Sequence, residues 1–254
     1  MNKKLNNVKI QYLDHSAFLV KTQQHAFLFD YGAVPVRLPE RLADLYKKIS
    51  QLPLDLFFSH MHADHWNPEL AEMMAYRPNT RIFLGVSSEK ERREKEADKP
   101  HFVMLGPRFV YDLPDEQIIT TGSTDQGVSF LVLSSEITLY HGGDLAVWDD
   151  DEIDRSVYLK EIHFLSKQLK KRGKKPDVAF LPVTTSDGYQ EPSILEGIDW
   201  FLTFIQPRLV IPMHGHGYER LYLSFAEWMA QHHPCTDVMV LQKPGSECVV
   251  QIEC

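Results

Sequence analysis

Leu54-Asp55-Leu56-Phe57-Phe58-Ser59-His60-Met61-His62-Ala63-Asp64-His65 is the stretch from which the rest of the chain becomes readable. Its first five residues form a near-continuous apolar run, the pattern of a strand covered on both faces. The run stops at Ser59-His60, and three imidazoles and a carboxylate fall between positions 60 and 65. Asn67-Pro68-Glu69 then supplies an N-cap, a proline at the first helical position and an acidic first turn, which predicts a helix from 67 to about 75. The histidines therefore lie between a buried strand and a helix. In an extended loop, residues two apart point the same way, so His60 and His62 can bind one ion while the turn at Asp64-His65 offers two donors to a second. Four specified positions, each matched by chance about one time in twenty, give on the order of 10⁻³ occurrences in a chain of this length, so scattered surface histidines are a poor account of the cluster.

Working outward, residues 12–20 and 26–29 read as strands flanking the polar turn 21–24, and the chain opens as a β-meander. Residues 37–50 carry Leu42, Leu45, Tyr46 and Ile49 at helical spacing and lead into the strand at 54. The charged stretch 87–99 reads as a solvated helix without a function. Strands follow at 117–121, 128–133 and 137–140, then a helix at 155–171 stopped by Gly173. Beyond it come strand 177–181, helix 192–205, strand 208–211, helix 218–232, and strands 237–241 and 248–252. Two meander-then-βα halves with no Pro/Gly/Ser linker predict an α/β chain with two sheets face to face, helices outside, and one domain over 1–254.

Composition narrows the function classes. The 254 residues hold 27 Lys+Arg against 35 Asp+Glu, a net charge of −8, with 43% hydrophobic and 24% charged residues, which is ordinary globular usage. An acidic balance without a long basic run argues against nonspecific phosphate binding, so nucleic acid is not an expected partner. No apolar run approaches the roughly 20 residues a membrane helix requires. Three cysteines without a CxxC pair and no secretory h-region near the start suit reduced thiols and a cytoplasmic location.

The His-x-His-x-Asp-His pattern resembles the hallmark of the metallo-β-lactamase superfamily. Leu28-Phe29-Asp30-Tyr31-Gly32 looks like the early strand of that family, which ends in an aspartate that hydrogen-bonds the ligand loop without touching metal. His141-Gly142-Gly143-Asp144 resembles the family's Gly-Asp after a strand, with Asp144 bridging two metals, and Val210-Ile211-Pro212-Met213-His214 resembles the last ligand histidine. The resemblance implies a four-layer αββα sandwich of two mixed sheets. It implies two divalent ions, zinc foremost with manganese or iron as alternatives: one held by His60 and His62, the other by Asp64, His65 and His214.

There is one departure. Where the family usually has Gly-His-Thr-Pro-Gly-Ser-Val-Ser-Phe, this chain has Gly122-Ser123-Thr124-Asp125-Gln126-Gly127-Val128-Ser129-Phe130, so Ser123 takes the place of the third histidine. Asp125 is then either a substitute ligand or a turn residue. His15, in Asp14-His15-Ser16, resembles the Gly-His-Ser of lactonase-like branches and becomes a pocket candidate, as do Ser123, His141 and His216. Trp148, Tyr189 and Tyr218 follow strand-end motifs and could line the pocket or simply pack. The function this implies is hydrolysis by a metal-bound hydroxide, with Asp64 or Asp144 taking the proton, on a small-molecule lactone or phosphoester. The rivals are a noncatalytic metal-binding or regulatory protein of the same fold, and a nuclease of the superfamily. Oligomeric state is not readable.

Overall fold

The computed structural model describes residues 5–33, 42–49, 51–88, 90–92, 101–149 and 152–253. The expected helix 37–50 is seen over α1 (Leu42–Ile49), its flanks lying outside the described residues. Residues 93–99 of the charged stretch also lie outside them.

The first sheet contains β1 (Leu5–Asp14), β2 (Ala17–Lys21), β3 (Ala26–Phe29), β4 (Leu54–Phe58), β5 (Thr80–Gly85), β6 (Val103–Leu105) and β14 (Glu247–Glu253), in the order β14-β1-β2-β3-β4-β5-β6. The second contains β7 (Val110–Asp112), β8 (Glu116–Thr121), β9 (Ser129–Ser134), β10 (Thr138–His141), β11 (Val178–Pro182), β12 (Leu209–Met213) and β13 (Asp237–Val238), in the order β13-β12-β11-β10-β9-β8-β7. Each is antiparallel on its hairpin side and parallel on its βα side, with β3/β4/β5/β6 and β10/β11/β12/β13 as the parallel runs.

Side-chain alternation explains the layers. On β1, Val8, Ile10 and Tyr12 point between the sheets with Phe18, Phe27, Phe29 and Phe57, and meet Phe130, Val132, Phe180 and Ile211 of the opposite sheet. The other face of the first sheet, with Leu19, Leu28, Leu54 and Leu56, is covered by α1 and by α2 (Pro68–Ala75) through Leu45, Ile49, Leu70 and Met74. The outer face of the second sheet is covered by α3 (Glu152–Arg172), α4 (Pro192–Ile205) and α5 (Leu221–His232). This is the αββα sandwich, and the predicted 67–75 helix starts as expected, with Asn67 Oδ1 accepting the Leu70 N–H at 3.0 Å.

Two readings are corrected. The stretch 12–20 is two strands, because the chain reverses at His15, whose φ of 47° places it in the left-handed region. β5, β6 and β7 were not anticipated, since two of them are three residues long and Arg81 interrupts the apolar run of the third. Asp55, in the middle of the apolar run of β4, is fully buried; Arg81 neutralises it bidentately (2.5 and 2.7 Å) and His25 Nε2 stands 2.9 Å away. His25 is thus part of a buried polar group at the end of β4 remote from the histidine cluster. The carboxyl ends of β3, β4, β10 and β12 gather at the opposite pole, where open α/β sheets place their ligands.

Candidate metal centre

Four strand ends and two loops converge here. β3 delivers Asp30, β4 the loop 59–65, β10 Asp144 and β12 His214, while the β8–β9 loop brings Asp125 and the β1–β2 turn brings His15. Two close approaches make this convergence depend on glycine. A Cβ on Gly127, whose φ is +69°, would lie 1.9 Å from Ser59 O, and one on Gly32 would lie 2.1 Å from Asp64 O.

Hydrogen bonds fix which ring nitrogens face the centre. Asp30 is fully buried and accepts the Ser59 N–H (2.7 Å) and hydroxyl (2.7 Å) and the His65 Nδ1–H (2.8 Å). The Ser59 hydroxyl in turn accepts from His60 Nδ1 at 2.9 Å. His214 Nδ1 donates to Thr184 O at 2.8 Å. His60, His65 and His214 thereby all turn Nε2 inward, the nitrogen whose lone pair metal binding needs.

The donor atoms fall into groups. His60, His62, Asp125 and Asp144 form one, with His60 Nε2 3.0 Å from His62 Nδ1, His62 Nδ1 3.5 Å from Asp125 Oδ2, and His60 Nε2 3.5 Å from Asp144 Oδ2. Around the other oxygen of Asp144 stand His65 Nε2 at 3.2 Å and His214 Nε2 at 3.7 Å, and Asp64 Oδ2 lies 3.8 Å from His65 Nε2. Asp144 Oδ1 is buried and has no hydrogen bond of acceptable geometry. Atoms about 2.0–2.3 Å from a shared ion stand roughly 3.0–3.8 Å apart, so this donor set fits divalent metal ions.

The electrostatics agree with that chemistry. Burial followed by the His65 charge keeps the His60 imidazole below its ordinary pKa, and burial likewise keeps His214 neutral despite Asp144. For Asp144, burial is outweighed by His65 and His214, which hold its carboxyl well below the usual range. Asp64 is held down at about 2, the His216 contact and the His65 charge overcoming its burial. His65 runs the other way: burial would make it neutral, but Asp144 and Asp30 raise it well above its usual value when no metal is bound.

A stability prediction follows from the signs. His15, His60, His141 and His214 all have folded-state values below the unfolded value of about 6.5. The unfolded chain therefore binds more protons than the folded one as pH falls through that value, and stability is lost on acidification. Among these histidines His65 alone acts oppositely, its contribution being full below about 6.5 and lost as pH rises through its raised value, and Glu116, pushed up to about 10 by burial and its contact with Asp55, acts in the same sense as His65. Metal-free protein in chelator should melt lower at pH 5.5 than at pH 7.5, read by differential scanning fluorimetry. A melting point that rises on acidification would contradict the neutral-imidazole assignment.

The remaining candidates separate. His216 Nε2 lies 3.2 Å from Asp64 Oδ2 and lines the cleft. His15 is buried against His65. His141 is not in the cleft: its Nε2 donates to Ser16 O (2.9 Å), its ring stacks on Phe29, and its Nδ1 accepts the Gly143 N–H (3.3 Å), so it shapes the turn that carries Asp144. Ser123 also supports rather than faces the centre, its hydroxyl accepting the Asp125 N–H at 3.2 Å. Trp148 lines the cleft and donates its indole N–H to Asp144 O at 3.0 Å. Tyr189 belongs to an adjoining groove and Tyr218 packs against Gly188. The unforeseen residues are Ser59, Thr184, and Asp149 and Asp154 at the rim; only Ser59, next to the motif, carried a sequence signal.

The cleft measures about 510 Å³. Among the described residues no helix is long and apolar enough to cross a membrane.

A family model described as the Beta-lactamase superfamily domain matches residues 9–214. Among curated proteins, a UPF0173 metal-dependent hydrolase of Caldivirga maquilingensis is 28% identical over 88% of this chain and 91% of its own. Another from Thermococcus kodakarensis is 23% identical over 94% and 98%. Among solved structures, Igni18, a metallo hydrolase from Ignicoccus hospitalis, superposes with a TM-score of 0.69 at 19% identity, covering 97% of this chain and all of that one.

Proposed function

The chain belongs to the metallo-β-lactamase superfamily, and from that premise and the donor geometry we propose that it is a binuclear metal-dependent hydrolase acting on a small neutral ester or lactone. The observation that carries this is the split of Asp144, whose Oδ2 faces His60 while its Oδ1 faces His65 and His214. A carboxylate so placed can serve two ions at once. Bound divalent ions lower the pKa of water and polarise a carbonyl.

The chain's own residues do the rest. His60, His62, Asp125 and Asp144 offer two nitrogens and two carboxylates, a set that accepts manganese or iron as well as zinc, while the His65–His214 side is richer in nitrogen and suits zinc. Asp125 takes the role that Ser123 cannot, and Ser123 holds it in place. His216 Nε2 on Asp64 Oδ2 can hold a proton beside the reacting group. Trp148 stands on one flank of the cleft against His214, their rings 5.0 Å apart.

Charge discriminates between the two substrate classes. Among the described residues the cleft is lined by Asp149 and Asp154 beyond the ligand carboxylates, and by no Lys or Arg. The ligand carboxylates would be offset by the ions they hold, but a phosphoester would also meet Asp149 and Asp154 with no basic side chain beside them, whereas a neutral lactone would not be repelled. The test combines metal analysis of protein purified without chelator with a panel of lactones, carboxylic esters and phosphodiesters. We expect two divalent ions per chain, reduced to about one in Asp125→Ala, and kcat/KM for the best lactone at least ~10-fold above any phosphodiester, a difference of about 1.4 kcal/mol in transition-state binding. Unchanged metal content in Asp125→Ala would return that residue to a turn role, and preferred phosphodiester cleavage would overturn the substrate class.

A further inference from the structure

We propose that His15, at the turn between β1 and β2, is itself a metal ligand, joining Asp64, His65 and His214 in the nitrogen-rich group. This rests on the metal-centre reading above. His15 Nε2 stands 3.3 Å from His65 Nε2 and 3.5 Å from Asp64 Oδ2, and with His65 and His214 it forms a fully buried set of ring nitrogens within 4.8 Å of one another. Two nitrogens each about 2.0–2.1 Å from a shared ion stand roughly 2.9–3.4 Å apart, from octahedral to tetrahedral angles, so the spacing between His15 and His65 is ligand spacing.

A hydrogen bond between the two rings accounts for it less well. His65 Nδ1–H is committed to Asp30, so Nε2 is the nitrogen whose lone pair His65 can give to an ion. Were His15 to donate to that lone pair, the histidine of the Asp64-His65 motif could not reach an ion. Were His15 to present its own lone pair, a cation must lie between the two rings: a proton in the metal-free chain, whose place a divalent ion takes on binding. The second case is the one compatible with His65 as a ligand. His15 Nδ1 is buried without a hydrogen-bond partner, so no competing hydrogen bond holds the ring.

Backbone strain points the same way. His15 holds a φ of 47°, a conformation a non-glycine residue keeps only when its surroundings impose it. Its carbonyl accepts the His214 N–H at 3.1 Å, which ties the turn to the other ligand loop and sets the two rings 4.4 Å apart. His216 packs on the outer side of the His15 ring at 3.8 Å and contacts Asp64, but lies outside this nitrogen set.

The experiment titrates metal-free protein with cobalt(II) and follows both stoichiometry and the visible d–d bands, for wild type, His15→Gly, His15→Asn and His216→Ala. Glycine and asparagine both accept the left-handed φ, and far-UV circular dichroism of the metal-free forms checks folding. In the His15 variants one cobalt should bind at least ~10-fold more weakly with altered bands while the other is unchanged; His216→Ala should keep both. Added imidazole should restore the weakened site in His15→Gly, and should Gly fail to fold, Asn carries the test. His15 variants that bind two cobalt ions with wild-type affinity and spectrum would overturn the assignment alone, and the same metal binding with lost turnover would make His15 a substrate contact instead. A wild-type chain that takes up no divalent ion would overturn the metal centre and this proposal together.

Discussion

Replacing Asp144 by Asn should lower kcat by ~10³-fold or more, about 4 kcal/mol of transition-state stabilisation, and should reduce the content of both metals. The reason lies in the division of its two oxygens: Oδ2 belongs to the His60 side at 3.5 Å and Oδ1 to the His65 side at 3.2 Å. No other carboxylate among the described residues stands between both donor groups. Asparagine keeps the shape of the side chain but gives up one charged oxygen to an amide that cannot ligate, so one ion loses a ligand and the pair loses its shared anion. Folding should survive, because the turn that carries residue 144 is held by other atoms: Gly143 N–H on His141, the Trp148 indole and the Thr124 hydroxyl on the Asp144 carbonyl. The check is steady-state turnover on the best substrate of the panel with elemental analysis and circular dichroism on the same preparation. Unchanged turnover would remove Asp144 from the chemistry.

Elements with a strong local signal were legible. The Asn67-Pro68 start of α2 is written in capping chemistry, and that of α4 in a proline at its first position, and both helices begin where these residues put them. The hairpin at His15 was not legible. Its reversal uses no glycine, proline or asparagine, and His15 is held at positive φ by a hydrogen bond from residue 214, far away in the chain. Tertiary contacts override local propensity there, and a run of alternating apolar residues reads as one strand when it is two. Asp55 shows the same limit on the packing side: a carboxylate inside an apolar run reveals its neutralising partner, Arg81, only once β4 and β5 are paired.

At the metal centre, the pattern from His60 to His65 was legible because four donors within six positions have no packing reason to cluster. The place of Asp125 was ambiguous in sequence, where an aspartate before Gln-Gly suits a turn equally well. In the folded chain the Ser123 hydroxyl accepts the Asp125 N–H in the turn, and the carboxylate stands 3.5 Å from His62 Nδ1. His141 shows how proximity in sequence misleads. It lies three positions from Asp144, yet β10 directs its ring inward onto Phe29 and Ser16. The acidic rim formed by Asp149 and Asp154 depends on α3 returning to the cleft, which no local pattern encodes.

Asp30 should separate the two ways in which this centre can fail. It contacts no ion in the proposed arrangement, yet it is fully buried and accepts three hydrogen bonds, from the Ser59 N–H, the Ser59 hydroxyl and His65 Nδ1. Burial opposes its charge, and His65 and His141 overcome that cost and hold the carboxyl below its ordinary range. Asp30→Ala leaves three donors without an acceptor and places a Cβ-bearing residue without a local hydrogen-bonding side chain at φ 43°. Breaking a buried pair by removing one partner costs ~3–5 kcal/mol, which in a chain of this size lowers the melting temperature by roughly 6–20 °C. Asp30→Asn keeps the shape and tolerates the φ, so its stability loss should be smaller. Its amide, however, cannot accept at both positions: the Ser59 N–H bonds Oδ1 while the Ser59 hydroxyl and His65 Nδ1 share Oδ2, so with the amide oxygen kept on the Ser59 N–H the NH2 group faces His65. His65 is then free to carry its proton on Nε2, the nitrogen that faces the centre, and metal affinity should fall ~10–100-fold. Thermal unfolding and metal titration on the two variants read the two effects separately. An asparagine variant that binds metal as tightly as wild type would mean that His65 does not depend on Asp30 for its tautomer, and the aspartate would then be a brace for the loop alone.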